Sequence, residues 1–239
     1  MMVTRIPMHI KAKMGDIAER VIISGDPDRI RQLSLMLNDV RVVNENRGYI
    51  TYTGRYAGKN VTIACHGIGA PSIAIVVEEL NMLGAKYILR LGTAGGLLKE
   101  MKYGEILIAN GAFSGIGGTL GAYSKQCFPI PTIPSFELFD ALIKASNNSK
   151  SKVYIGPVMS SDAFYGEDDN IDLSKCGYFA VDMEASTLFA ISKIRGFRSA
   201  ALFMISNNLI NNTELIDANI LKQHLENAAN IAFNAITNI

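Results

Sequence analysis

Seven short runs dense in Val, Ile, Leu and Ala punctuate the chain: Val21–Ser24, Val40–Val43, Val61–Cys65, Tyr87–Leu91, Ile106–Ala109, Val153–Val158 and Ala200–Ile205. Runs of this length and content predict largely buried strands. Between several of them the apolar positions change to a helical period. The clearest case is Ser72–Leu83, with Ile73, Val76, Val77, Leu80 and Leu83 on one side and Glu78, Glu79 and Asn81 on the other. Near the end, Glu214–Thr237 spaces Leu215, Ile216, Ile220, Leu221, Leu225, Ala228, Ile231, Ala232 and Ile236 so as to predict one long closing helix. Alternating strands and helices imply an α/β fold, a three-layer α/β/α sandwich on a mixed, mainly parallel sheet. No repeat, low-complexity tract or linker interrupts the pattern, so residues 1–239 read as a single domain. Phe113–Pro134, with four Gly and three Pro, breaks the periodicity and reads as an irregular segment suited to covering a ligand.

Composition narrows the function classes. With 23 Lys+Arg against 22 Asp+Glu and no basic stripe, nothing in the charge pattern favours a nucleic acid. Apolar runs stop short of a membrane span; the nearest, around Val61–Val77, is broken by His66, Gly67, Gly69 and Pro71. The first residues, Met1–Lys13, interleave Arg5, His9, Lys11 and Lys13 with short apolar stretches and carry no signal-peptide core. Three widely spaced cysteines, Cys65, Cys127 and Cys176, fit neither a disulfide framework nor a CxxC metal site, and a cytoplasmic location is expected.

Three segments could carry chemistry. In Val21-Ile-Ile-Ser-Gly-Asp-Pro-Asp-Arg29 a buried strand runs into Gly25, then an N-cap at Asp26 and proline at the first helical position. A helix start offers free amides and a positive dipole end, and Arg29, one turn in, adds a forked donor pair; this is either an anion site or an ordinary strand–turn–helix with a surface arginine. In Tyr87-Ile-Leu-Arg-Leu-Gly-Thr-Ala-Gly-Gly96, Arg90 interrupts an apolar strand ahead of Thr93 and three glycines. A cation placed so deep must be paired, with a carboxylate of the chain or with a bound anion. In Ala180-Val-Asp-Met-Glu-Ala-Ser186 two carboxylates flank Met183 at a helix start. They could cap the helix, or accept a sugar diol while Met183 packs under the ring.

Other signals are weak. Gly67-Ile-Gly-Ala-Pro-Ser72 and Gly115-Ile-Gly-Gly118 lack the dinucleotide fingerprint, which sets a nicotinamide-dependent dehydrogenase aside. His9, His66 and His224 have no metal-ligand spacing to one another. Asp162, Glu167, Asp168 and Asp169 miss the EF-hand pattern and read as a solvated loop. No Gly-x-Ser-x-Gly elbow is present.

Taken in order, the segments resemble the hexameric purine nucleoside phosphorylase and uridine phosphorylase superfamily, in particular its archaeal purine nucleoside and methylthioadenosine phosphorylase branch. The resemblance spans nearly the whole chain. It rests on Met8-His-Ile-Lys-Ala-Lys-Met-Gly-Asp16, Gly25-Asp-Pro-Asp-Arg29, Asn44-Glu-Asn-Arg-Gly48, His66-Gly-Ile-Gly-Ala-Pro-Ser72, Arg90-Leu-Gly-Thr93, Ser161-Asp-Ala-Phe-Tyr165 and Asp182-Met-Glu184. It implies a phosphorylase-type fold and phosphorolysis of a purine ribonucleoside to free base and ribose 1-phosphate, with inorganic phosphate as co-substrate and no metal or organic cofactor. The implied phosphate ligands are Gly25, Arg29, Arg90 and Thr93, with Arg47 from a neighbouring subunit. Ribose would meet Asp182, Met183, Glu184 and the neighbour's His9; the base would meet Phe164 and Asn207, with Ser206, Asn207 and Arg90 as the catalytic positions. The assembly implied is a homohexamer, a trimer of dimers.

Two departures bear on the substrate. Where the purine branch usually follows a serine with an aspartate that protonates the base, Ser206 is followed by Asn207, and no arginine occurs after Arg198. An amide cannot supply that proton, but its donors and acceptor match N7 and a 6-oxo group, so inosine and guanosine are expected over adenosine or methylthioadenosine. Asparagine also suits the uridine branch, although Asp168 and Asn170 stand where that branch places a glutamine and an arginine. A nucleoside-binding homologue impaired in catalysis is the alternative from another class. Asp182 stands where the family usually has glutamate, a shorter arm toward ribose.

Overall fold

A computed structural model describes residues 6–114, 118–124, 130–165 and 173–239. Nine strands form one mixed sheet: β1 (Arg20–Ser24), β2 (Asn38–Asn44), β3 (Thr51–Tyr56), β4 (Lys59–Cys65), β5 (Tyr87–Gly96), β6 (Ile106–Ser114), β7 (Val153–Ser160), β8 (Ala180–Asp182) and β9 (Arg198–Asn208). Their order is β2-β3-β4-β1-β5-β8-β7-β6-β9, and β5 also pairs with β9. Strands β5, β8, β7, β6 and β9 therefore close a ring, from which β1, β4, β3 and β2 extend as an open wing. The periodic pattern contains no sign of that closure.

Among the described residues six α-helices flank the sheet: α1 (Pro27–Ser34), α2 (Ala70–Met82), α3 (Gly118–Tyr123), α4 (Phe136–Ser146), α5 (Ala185–Arg195) and α6 (Ala218–Thr237). Their apolar stripes bury two cores, one on each side of the sheet. Ile73, Val76, Val77 and Leu80 of α2 pack with Leu188, Phe189 and Ile191 of α5 on one face. Ile30 and Leu33 of α1, Leu138 and Leu142 of α4, and Leu225–Ile236 of α6 cover the other. The expected α/β sandwich on a mixed sheet is thus present, with five parallel and four antiparallel strand pairings among the described residues.

Three local expectations change. Strand β2 is mostly exposed rather than buried, because it forms the outer edge of the wing and pairs on one side only. Strands β3 and β8 lack a dense apolar run and are held by their neighbours. The closing helix begins at Ala218 rather than Glu214: the Ile216 amide donates to the Ser206 carbonyl at 2.9 Å, which ties this stretch to the end of β9 instead. Of the predicted covering segment, residues 118–123 form α3 and residues 115–117 and 125–129 lie outside the described residues, as do Glu167, Asp168, Asp169 and Asn170. No described helix is long and apolar enough to cross a membrane.

Candidate active site

The carboxyl ends of β1, β4, β5, β7, β8 and β9 converge on a cavity of about 670 Å³. In open α/β sheets this is where strands release the chain into loops and helix starts, so polar groups gather there without cost to the core. Gly25, Arg29, Arg90, Thr93, Phe164, Asp182, Met183, Glu184, Ser206 and Asn207 all line it, although they are spread over 183 positions of sequence, from 25 to 207.

Gly25 leaves β1 and Asp26 caps α1, its side chain accepting from the Asp28 amide at 2.8 Å, with Pro27 at the helix start. A side chain at position 25 would meet the Gly67 carbonyl at 2.8 Å, so only glycine lets the β1 and β4 ends close on one another here. Arg29 then points back into the fold. It is 8% exposed, its Nη1 donates to Ser24 Oγ at 2.9 Å, and it makes no ion pair with any described residue. Burial draws its pKa down to about 10, with Asp26 pulling it back up, so it stays charged at neutral pH. The surface-arginine reading of this segment is therefore wrong. A buried cation with only a hydroxyl for company is placed to receive an anion.

Arg90 shows the carboxylate partnership that its sequence position allowed. Its Nη2 is paired with Glu184 Oε2, its Nε lies 3.5 Å from Asp182 Oδ2, its Nη1 lies 2.7 Å from His66 Nε2, and its guanidinium stacks 5.4 Å from the Phe203 ring centre. It also faces the cavity. Gly92 makes this possible: a side chain there would stand 2.9 Å from Arg90 Cζ. Three residues on, the Thr93 hydroxyl has no hydrogen-bond partner among the described residues and borders the same space.

Asp182 is corrected by the structure. Expected against ribose, its carboxylate is consumed internally: Oδ1 accepts from Ser160 Oγ at 2.6 Å, and Oδ2 accepts from the Glu184 and Ala185 amides at 3.0 and 2.9 Å. The shorter arm caps α5 rather than reaching out. Glu184, which also lines the cavity, accepts the Gly69 amide at 2.7 Å besides pairing with Arg90. Burial and the charge of Asp182 push its pKa up, against the pull of Arg90.

Across the cavity, the pairing of β5 with β9 slips between Ala94 and Gly95, leaving Ser206 as an extra residue on β9. This bulge turns Ser206 and Asn207 toward the ligand space, as bulges beside sites do. Ser206 Oγ lies 3.2 Å from Asn207 Oδ1, to which it can donate, and the missing side chain of Gly95 leaves room 3.1 Å from the same oxygen. Phe164, 58% exposed, stands at the mouth edge-on to Tyr165, with Leu209 and Leu215 opposite.

His9 and Arg47 lie outside this cavity. Arg47 is exposed and adopts a left-handed backbone (φ 56°), which few non-glycine residues do. His9 is held from within: Glu79 on α2 accepts from His9 Nδ1 at 2.7 Å and from the amides of Met8, His9 and Ile10 at 2.7–3.1 Å. The residues that sequence reasoning missed are His66 and Ser160. Their signals were, for His66, its place after a buried strand in the motif His66-Gly-Ile-Gly-Ala-Pro-Ser72 and, for Ser160, its place at the end of another strand.

An anion-receptive arginine pair, an unpartnered hydroxyl, a carboxylate and an aromatic mouth around one cavity invite comparison with known proteins. Residues 19–239 match the family described as the phosphorylase superfamily. A guanosine phosphorylase of Halorubrum lacusprofundi is 34% identical over 237 residues, covering 96% of this chain and 97% of the relative. A DeoD-type purine nucleoside phosphorylase of Clostridium novyi is 36% identical over 214 residues, covering 86% and 89%. Among solved structures, uridine phosphorylase from Vibrio fischeri superposes with a TM-score of 0.88 at 29% identity over the full length of both chains. Purine nucleoside phosphorylase from Toxoplasma gondii in complex with immucillin-H gives 0.88 at 26% identity, covering 100% of this chain and 98% of its own. With the site geometry and a match over nearly its whole length, the chain belongs to the phosphorylase superfamily.

Proposed function

We propose that this protein is a pentosyltransferase that cleaves purine ribonucleosides, 6-oxopurine nucleosides first, with inorganic phosphate, releasing the base and ribose 1-phosphate. The observation that carries the reading is Arg29: buried, charged, without an ion pair among the described residues, and sharing a cavity with Arg90, Thr93 and Glu184. Phosphate bound between the two guanidinium groups and the Thr93 hydroxyl faces a ribose lying on Met183 with its diol on Glu184. As the glycosidic bond loosens, the sugar gains oxocarbenium character; the phosphate stabilises that charge and its oxygen closes on the anomeric carbon. The electron pair of the broken C–N bond leaves with the base. Asn207 offers amide donors and an acceptor to N7 and a 6-oxo group, without a proton to give, which favours inosine and guanosine. The guanosine phosphorylase relative supports the same preference.

The reading includes assembly and place. A homohexamer built from dimers is supported by His9 and Arg47, which lie outside this chain's own cavity and would serve a neighbour's, His9 with its position fixed by Glu79. Free thiols at buried Cys65 and exposed Cys176 suit a reducing cytoplasm and a role in purine salvage. No organic cofactor or metal is invoked.

A coupled assay with inosine, guanosine, adenosine, methylthioadenosine and uridine, each with and without phosphate, tests the reading. Phosphate-dependent release of hypoxanthine and guanine is expected, with uridine a poor substrate. Cleavage without phosphate would assign the chain to hydrolysis instead, and tight binding with no turnover of any nucleoside would make it a binding protein.

A further inference from the structure

His66 follows Cys65, the last residue of β4, and is wholly buried against Arg90, yet none of the chemistry above uses it. Its Nε2 lies 2.7 Å from Arg90 Nη1. A guanidinium nitrogen can only donate, so Nε2 accepts and the ring proton resides on Nδ1. Nδ1 is buried and has no hydrogen-bond partner of ordinary geometry among the described residues. Burial and the neighbouring Arg90 hold the imidazole pKa well below its usual range, so the ring is neutral at physiological pH. A neutral acceptor is an uncommon choice against a buried arginine, which ordinarily takes a carboxylate.

The surroundings give a reason. Arg90 already faces two carboxylates, Glu184 at Nη2 and Asp182 near Nε. With Arg29 counted, two guanidinium groups balance these two carboxylates, and a third acid at position 66 would leave the cluster negative and unfit for an anion. The imidazole fixes the rotation of the guanidinium without spending its charge. With one proton of Nη1 committed to His66 and one of Nη2 to Glu184, one proton on each terminal nitrogen stays available, the forked pair that grips a phosphate.

We propose that His66 is a positioning residue for phosphate: its Nε2 orients Arg90 for bidentate capture of the co-substrate while leaving the guanidinium charge intact. The inference rests on the phosphorolytic reading above. The experiment measures KM for phosphate and for inosine separately in His66→Leu, His66→Gln and His66→Asn, alone and in an Arg90→Lys background, alongside melting temperatures. His66→Leu is expected to raise the phosphate KM by roughly ten- to a hundredfold, the scale of one hydrogen bond to a charged group, with the inosine KM within about twofold of wild type. His66→Gln, whose Oε1 reaches about as far as Nε2, restores most of the loss; His66→Asn, whose amide matches Nδ1, does not. In the Arg90→Lys background His66→Leu adds little, because the partner it orients has gone. Equal rises in both KM values, a glutamine no better than asparagine, or effects that multiply in the double variant would each overturn the proposal. If His66→Leu does not fold, the glutamine–asparagine contrast decides alone. Wild-type cleavage that ignores phosphate would instead sink the phosphorolytic reading itself.

Discussion

Arg29 and Arg90 illustrate two ways of keeping a cation inside a protein. Arg90 is compensated by Glu184, Asp182 and His66, whereas Arg29, among the described residues, has a hydrogen bond to Ser24 Oγ and no ion pair, its charge favoured by the fields of nearby groups, Asp26 first. An uncompensated buried charge destabilises the fold that carries it, so its retention indicates a task. Arg29→Gln should lower phosphate-dependent kcat/KM by about ten- to a hundredfold, in line with the ~1.5–3 kcal/mol of a charge-assisted contact, while leaving the melting temperature unchanged or raised. Calorimetry alongside the kinetic assay checks both signs; a large loss of stability would mean that Arg29 is structural. At the same scale, Asp182 shows how one methylene redirects a carboxylate. Its short arm turns inward onto the Glu184 and Ala185 amides, so Glu184 is left to face the cavity.

Among the elements, α2 has a role beyond its apolar stripe. Its Glu79 gathers the amides of Met8, His9 and Ile10 and the His9 ring, fixing a segment without secondary structure of its own against the helix. Burial pushes the Glu79 pKa up, but these donors more than offset it and the net shift is downward. A carboxylate with a lowered folded-state pKa stabilises the fold above its unfolded value, roughly 4.3, and that contribution is lost as pH falls through the folded value. Wild-type protein should therefore lose stability below about pH 4.3 more steeply than Glu79→Gln, whose acid limb in thermal melts is flatter. Parallel melting curves from pH 7 to 3 test this, and identical slopes would remove Glu79 from the account. The β9 bulge at Ser206 is the other element that matters to function. A regular ladder would alternate Ser206 and Asn207 between faces, and the slipped register is what brings both to the cavity wall.

For the whole molecule, the sharing of sites between subunits is open to a direct test. Arg29→Ala and Arg47→Ala, each inactive alone, are mixed, dissociated and reassembled. If Arg47 completes the neighbour's site in a two-fold pair, half of the pairs are mixed, each with one intact site, and activity should recover to about a quarter of wild type. No recovery would place Arg47 in its own subunit's chemistry or outside it altogether. Much of this architecture was legible beforehand. Dense Val/Ile runs marked seven of the nine strands described; all but the exposed edge strand β2 are largely buried, and strands buried on both faces exclude most polar positions. The capped strand–turn–helix at Gly25–Arg29 and the stripe of α2 follow from local geometry that the residues themselves impose. Strands β3 and β8 were not legible, since neighbouring strands rather than their own side chains hold them. The same division applies to the site. Sequence alone determined which residues carry charge and where most strands run, and by resemblance which residues were expected to share a site. Only the tertiary structure decided that Arg29 has no ion-pair partner among the described residues, that Asp182 spends its carboxylate on a helix start and that His66 touches Arg90. Pairing and burial depend on atoms brought together from strands far apart in the chain, which no local pattern records.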